Sequence, residues 1–263
     1  MATPIRMSGR SDRRAEARRI EEMALNASGA FQSLLYDGWL LGHRSGPTKR
    51  LRCINPTYRS SLPLERKLAY CIDFYRIVGL PPIFRMLPFA QPAGLDAFLA
   101  ERGWGEFERT LVMRAGLAAA VTLPAPPVEV ELIAMTAWVE ATRGLLGVAS
   151  DALPRLRDRA ANYPLPQIGA LVRRDDEVVA CGLAKIEEDH VGLFAVCTAP
   201  SLRGKGLGRA VVGALLADAQ QRGARTAYLQ VTAQNAAALA LYRRFGFDTA
   251  YDYWYRAREG EQH

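Results

Sequence analysis

The sequence predicts a mixed α/β fold, a central mixed sheet flanked by helices, in a chain made of two units. Three observations lead there. Short runs such as V-E-V-E-L-I-A (128–134) alternate apolar and polar residues, as half-buried strands do. Longer segments repeat apolar residues every third or fourth position, as helices do. Near the middle, residues 115–127 are uncharged and rich in Ala and Pro, and prolines deny the backbone the donors that helices and sheets need.

Taken in order, residues 1–23 read as a basic, solvated tail, since Arg6, Arg10, Arg13, Arg14, Arg18 and Arg19 crowd its sequence. The first unit, 24–114, opens on a helical pattern from Ala24 to near Asp37-Gly38. W-L-L-G-H (39–43) and T-K-R-L-R-C-I (48–54) follow as short strands. Leu68, Cys71, Ile72, Tyr75 and Val78 then recur at helical spacing, and Gly79 stops that helix. P-I-F-R-M-L (82–87) reads as a strand, G-L-D-A-F-L-A-E-R-G (94–103) as a short helix and R-T-L-V-M-R (109–114) as another strand.

The domain boundary is expected across 115–127. The second unit, 128–260, begins with the alternating strand, two helical patterns up to about Asn162, and a hairpin turning at Asp175-Asp176. E-E-D-H (187–190) marks a turn into V-G-L-F-A-V-C-T (191–198). After a glycine-rich loop, Leu207, Val211, Leu215 and Ala219, with Val212 and Leu216 beside them, make one apolar helix face that ends at Gly223. A strand T-A-Y-L-Q-V (226–231), a helix from Asn235 to Phe245 and an aromatic strand, 247–256, close the unit.

With 263 residues and 49% hydrophobic content the chain can bury a real core. A net charge of +7 permits an anionic partner but selects none. Cys53, Cys71, Cys181 and Cys197 are scattered without C-x-x-C spacing, and three histidines are few to share a metal, so neither a disulfide framework nor a metal site is expected. No apolar core of about 7 to 15 residues follows the basic N-terminus, and no apolar run reaches about 20 residues before a proline breaks it. The expectation is a cytoplasmic protein with no membrane partner. A helix-turn-helix, finger or RNP-like pattern is missing too, which argues against nucleic acid. Whether two chains pair as a homodimer is left open.

The chemistry gathers in V-C-T-A-P-S-L-R-G-K-G-L-G-R-A (196–210). A strand feeding a glycine loop that opens a helix is an anion site, because the first helical amides lack internal partners and the helix dipole is positive there. Spacing excludes two phosphate motifs. A P-loop needs G-x-x-x-x-G-K-S/T, but Lys205 precedes Gly206; a dinucleotide fingerprint needs Gly or Ala where Arg209 or Val211 stands. The alternative is a turn and an ordinary helix start.

R-G-K-G-L-G (203–208) matches the Q/R-x-x-G-x-G/A signature of the GNAT superfamily of acyl-CoA-dependent N-acyltransferases. N-A-A-A-L-A-L-Y-R-R-F-G-F (235–247) matches that family's later N-x-x-A-x-x-L-Y-x-x-x-G-F block. Residues 128–256 resemble the family in element order too. Residues 24–114 resemble the N-terminal part of two-part members, a degenerate copy of the fold without the glycine loop.

The resemblance implies acetyl-CoA as cofactor and an N-acetyltransferase acting on a small-molecule amine. It implies that the loop Arg203, Gly204, Lys205, Gly206, Leu207 and Gly208, with Arg209 adjacent, holds the cofactor's pyrophosphate. Val196, Cys197 and Thr198 would pair with its pantetheine arm, and Asn235 would bond that arm, serve as a helix N-cap, or both. Tyr242 matches the position of the general acid; the alternative is a core tyrosine between Leu241 and Phe245.

Many members carry a glutamate on the strand before the loop, and 191–198 holds no carboxylate. His190 is a candidate base, against a plain edge histidine. Deprotonating a lysine-like amine at pH 7 costs about 4.6 kcal/mol, against about 1 for an α-amine, so a site without a strong base suits an amino-acid-like acceptor. Strand alternation puts Thr48, Arg50 and Arg52 on one face, so that Arg50 could fork onto a substrate carboxylate with Trp39 as a wall, or merely protect a sheet edge. A non-catalytic acyl-CoA sensor is the rival function, and an intact Tyr242 argues against it.

Overall fold

The computed structural model describes residues 10–28, 32–44, 48–120 and 127–262. In chain order its first elements are helix α1 (Arg10–Ser28), strands β1 (Ser33–Tyr36) and β2 (Trp39–Gly42), a 3-10 turn (Lys49–Leu51), β3 (Ile54–Asn55), α2 (Leu64–Ile77), β4 (Phe84–Met86), α3 (Leu95–Ala100) and β5 (Gly105–Gly116). There follow α4 (Leu117–Ala120), β6 (Glu131–Ile133), α5 (Met135–Thr142), α6 (Leu153–Ala161), β7 (Gln167–Arg174), β8 (Glu177–Glu187) and β9 (His190–Thr198). A 3-10 turn (Pro200–Leu202), α7 (Leu207–Gln221), β10 (Thr226–Thr232), α8 (Ala236–Arg244) and β11 (Asp248–Ala257) complete the chain.

Two compact units result, one from the chain up to Leu111 together with the segment from Ala250 onward, the other Val112–Thr249. The expected stretch 128–260 is thus divided. From Ala250 on, β11 runs antiparallel to β4, with Trp254 opposite Met86 and Arg256 opposite Phe84, and so belongs to the first unit. Of the expected linker, 115–116 end β5 and 117–120 form α4, while 121–126 lie outside the described residues.

In the first unit the strand order is β1-β2-β3-β4-β11. The helix expected to run from Ala24 to Asp37 stops at Ser28. Asp37 and Gly38, both at positive φ (42° and 81°), form the two-residue turn of the β1–β2 hairpin, with Tyr36 opposite Trp39. That backbone matches the twist of paired strands, which explains why the Asp-Gly pair signals a hairpin rather than a helix end. The strand expected at 48–54 is a 3-10 turn followed by the two-residue β3.

The expected basic tail is corrected from Arg10 onward, for this segment makes up most of α1. Ala17, Ile20, Met23, Ala24 and Ala27 are buried at three- and four-residue spacing, and residues 1–9 lie outside the described residues. The helix is also pinned by charge. Glu21 and Arg85, both fully buried, form an ion pair; the Arg85 Nη2 atom donates to Glu21 Oε2 at 3.0 Å, and Tyr251 Oη donates to the same oxygen at 2.9 Å. Arg85 also lies 3.7 Å from the centroid of the Tyr253 ring.

The second unit has the strand order β10-β9-β8-β7-β6, antiparallel from β6 through β9 and parallel between β9 and β10. The β7–β8 turn falls at Asp175-Asp176, both at positive φ. Helix α7 buries Leu207, Val211, Val212, Leu215, Leu216 and Ala219, the face expected from spacing. Each large aliphatic side chain so buried contributes about 1.5 to 3 kcal/mol.

Removing one member of a buried ion pair leaves the other desolvated and uncompensated. Glu21→Ala is therefore expected to lower the unfolding free energy by about 3 to 5 kcal/mol in urea titrations, while the pair replacement Glu21→Leu with Arg85→Met loses less. Equal losses in the two would contradict this account of how α1 is held.

Candidate active site

The site is built by strand β9 and the glycine loop that leads from it into α7. Strand β9 pairs in parallel with β10 from His190↔Thr226 to Leu193↔Leu229, where the register ends. On its other side β9 pairs with β8, but the ladder steps from Leu183↔Phe194 to Cys181↔Cys197. One residue separates the pairs on β8 and two on β9, so Ala195 and Val196 form a bulge. Ala195 carries its signature, a φ of 49° in a residue other than glycine. A bulge bends the strand that bears it, and past Leu193 β9 no longer follows β10. The stretch Val196–Thr198 therefore keeps strand backbone beyond the ladder with β10.

After Thr198 the chain makes the 3-10 turn and reaches Gly204 and Gly206, at φ of 77° and 83°. Gly206 is the N-cap of α7, and no side chain caps the helix. A left-handed N-cap is cheap only for glycine, and without a capping side chain the amides of the first turn face outward. Arg203, Gly204 and Lys205 are exposed, while Leu207 is core. Arg209 Nε is buried and makes no hydrogen bond among the described residues. A buried guanidinium nitrogen without an acceptor, beside open helix amides, is a place for an anion.

Helix α8 lies close by. A Cβ on Gly208 would come 3.4 Å from Leu241 Cδ2 and 3.6 Å from Thr198 Oγ1, so the start of α7, the end of β9 and α8 meet there. Asn235 caps α8, its Oδ1 accepting from the Ala238 amide at 3.1 Å. Tyr242, next to Leu241, is 8% exposed, with Phe247 against its ring at 5.9 Å between centroids. Burial pushes its phenol up to about 12, so Tyr242 holds its proton throughout the neutral range.

Three expected site residues stand where the sequence did not suggest. His190 stands at the opposite end of β9, about 16 Å of extended strand from Ala195, and its Nδ1 lies 2.8 Å from Asp189 Oδ1. Strand direction thus keeps it away from the loop. Trp39 is fully buried in the first unit, where its Nε1 donates to Gln91 O at 2.8 Å and Lys67 Nζ lies 3.8 Å from its ring centroid. A side chain enclosed on all sides cannot wall a substrate. Arg50 sits on the 3-10 turn, where the alternation that aligned it with Thr48 and Arg52 does not apply, and Arg52 is buried.

Sequence reading missed a cavity of about 230 Å³ in the second unit. Trp138 from α5, Leu156 and Arg159 from α6, Leu183 and Lys185 from β8, and the bulge residue Ala195 help to line it. Gly169 makes room for one wall. A Cβ there would fall 2.2 Å from Trp138 Cδ1, and Trp138 Nε1 donates to Ala170 O at 3.2 Å. The signal available in the sequence was a small residue at Gly169 amid the apolar run of β7. Lys185 Nζ lies 3.6 Å from the centroid of the Tyr163 ring, and burial, assisted by the charge of Arg159, lowers its ammonium to about 8.

Residues 136–247 match the Acetyltransferase (GNAT) family. The "Uncharacterized N-acetyltransferase YobR" of Bacillus subtilis (strain 168) is 25% identical over 250 residues, 92% of this chain and 99% of that protein. The "[Ribosomal protein bS18]-alanine N-acetyltransferase" of Escherichia coli (strain K12) is 34% identical over 93 residues, 35% of this chain and 58% of that protein. Among solved structures, a GCN5-related N-acetyltransferase from Kribbella flavida superposes with a TM-score of 0.66 at 20% identity, covering 93% of this chain and 96% of its own. The chain thus carries a GNAT acetyltransferase domain, which lies within the second unit, and the relatives it resembles are named N-acetyltransferases. No helix among the described residues is long and apolar enough to cross a membrane, and no metal-binding cluster occurs among them.

The cavity can be probed in two ways. Lys185 is charged below about pH 8 and neutral above it, with Arg159 on α6, Tyr163 beyond it and Glu187 on β8 as its ionisable surroundings. A ¹³C-methylated chain should show a lysine resonance titrating near 8 that disappears in Lys185→Met; its absence contradicts the burial argument. Gly169→Ala should drive Trp138 out of place and change the near-ultraviolet circular dichroism; an unchanged spectrum contradicts the packing of Trp138 on Gly169.

Proposed function

We propose that the chain transfers an acetyl group from acetyl-CoA to the primary amine of a small or amino-acid-like acceptor by direct attack. The observation that carries this reading is the course of β9. The strand leaves β10 at Leu193, bulges at Ala195 and runs into a glycine-capped helix. It offers first an edge of extended backbone and then an anion site, the order needed by a molecule whose amide-bearing arm ends in phosphates. The residues present fit acetyl-CoA on one further count, the buried Arg209 Nε that lacks an acceptor beside the open amides.

In this reading the amides from Arg203 to Gly208, with Arg209, hold the pyrophosphate, and Val196, Cys197 and Thr198 pair with the arm. Asn235 contributes its amide NH₂, since its Oδ1 caps α8. Acetyl-CoA, when bound, supplies the acetyl thioester. Tyr242 keeps a proton on Oη at neutral pH and gives it toward the departing sulfur. The transfer forms one N–C bond at the acetyl carbonyl and breaks one C–S bond; the nitrogen loses a proton and the sulfur gains one. His190 is too remote to take the amine's proton, so water does, which favours an α-amine over a lysine-like one. The E. coli relative is named for an alanine of ribosomal protein bS18, an acceptor carried by a polypeptide.

The first unit, in the same proposal, is a degenerate copy of the fold. Its support is a parallel β3–α2–β4 unit, comparable to β9–α7–β10, without a glycine loop.

Tyr242→Phe should lower kcat by about 10²- to 10⁴-fold while acetyl-CoA binding, measured by calorimetry, stays nearly the same. Unchanged turnover would remove Tyr242 from the mechanism. His190→Ala should leave the pH–rate profile as it was; loss of an ionisation from that profile would overturn the water route.

A further inference from the structure

The cavity beside Ala195 is small. Its 230 Å³ or so is about the space of seven or eight waters, below the roughly 300 to 1,000 Å³ of sites for drug-sized ligands. Its walls are mostly apolar, with Trp138, Leu156 and Leu183 among them, yet two cations, Arg159 and Lys185, line it as well. No carboxylate is among the described residues that line it.

The cations come from different elements, whose backbones the fold holds in place. Arg159 stands in the last turn of α6, and Gln167 Nε2 ties that helix to β7 by donating to Ala160 O at 2.6 Å. Lys185 is on β8 opposite Gln167 and Gly192, with its ammonium against the face of Tyr163. An arginine carries five N–H donors and a lysine three, so both can meet an entering carboxylate beside the contacts they already make. Since an isolated charge is costly to bury, a carboxylate would enter only where such cations meet it.

We propose that this cavity selects, as acceptor, a free α-amino acid with an apolar side chain, its carboxylate held by Arg159 and Lys185 and its side chain lodged against Trp138 and Leu183. The amine is then the end of the molecule left to face Ala195, where β9 leaves β10. This rests on the acetyl-transfer reading for its chemistry, but the carboxylate site stands on the cavity alone. A peptide chain has an amide where the free amino acid has its carboxylate and would forgo both charge-assisted contacts.

The test uses the full chain and the probes L-leucine, L-methionine and L-phenylalanine against their carboxamides and against dipeptides that begin with the same residues. Thiol release from acetyl-CoA should give a kcat/KM for each acid at least about tenfold above that for its amide. Arg159→Gln and Lys185→Met should bring that ratio toward one by raising the KM for the acid, and Arg159→Lys should retain part of it. Amides or dipeptides accepted as well as the acids, or a ratio that neither variant changes, overturn the inference while leaving acetyl transfer intact. Calorimetric titration of leucine and leucinamide, without acetyl-CoA, separates the two claims. Binding that prefers the acid and loses the preference in Arg159→Gln, with no thiol released from any amine, sustains the carboxylate site and defeats the acetyl-transfer reading. Failure of the acids to bind defeats the inference whatever the enzyme acetylates.

Discussion

The parallel ladder between β9 and β10 ends at Leu193, and the working half of the molecule depends on that ending. Backbone donors and acceptors must be paired or solvated, so a strand that leaves its neighbour keeps groups that a ligand can use. The bulge at Ala195 is the physical device. It inserts one residue opposite β8, holds an alanine at positive φ and turns the rest of β9 away from β10. Antiparallel pairing with β8, which is itself paired with β7, fixes one side of β9, so the departure has a defined direction and does not fray the sheet.

Two sites then share that strand. The carboxyl end of β9 leads into the glycine-capped start of α7, where open amides and Arg209 suit phosphates. The bulge itself lines the cavity formed by α5, α6, β7 and β8. The order along the chain therefore puts the proposed anion site on one side of the bulge and an apolar, cation-bearing cavity against it. Tyr242 stays protonated through burial alone, as the proposed proton donor must at neutral pH. The first unit is organised differently, around the buried Glu21–Arg85 pair and the enclosed Trp39, features that specify packing rather than chemistry.

Much of the second unit was legible in the sequence because local signals and tertiary demands agree there. The four-residue repeat from Leu207 to Ala219 became the buried face of α7, Asp175-Asp176 became a hairpin turn, and Asn235 became an N-cap. The first unit was less legible. The arginines of α1 masked an apolar stripe from Ala17 to Ala27, and Asp37-Gly38 reads as a helix stop though it closes a hairpin. In the site, the glycine loop was visible from spacing, whereas the bulge was not, since nothing in F-A-V-C marks which residue takes positive φ. Arg159 and Lys185 lie 26 residues apart on different elements, and only folding brings both to one cavity. His190 misled because nearness in sequence to the glycine loop hides that it opens β9 while the loop follows the strand's other end.

The claim that β9 and the loop after it form a cofactor edge is tested most directly by amide hydrogen exchange with and without coenzyme A. The account predicts that added coenzyme A slows exchange at Val196–Thr198 and at Leu207–Arg209, while the β7–β8 ladder changes little. Tight binding of coenzyme A with no added protection in either stretch would contradict it.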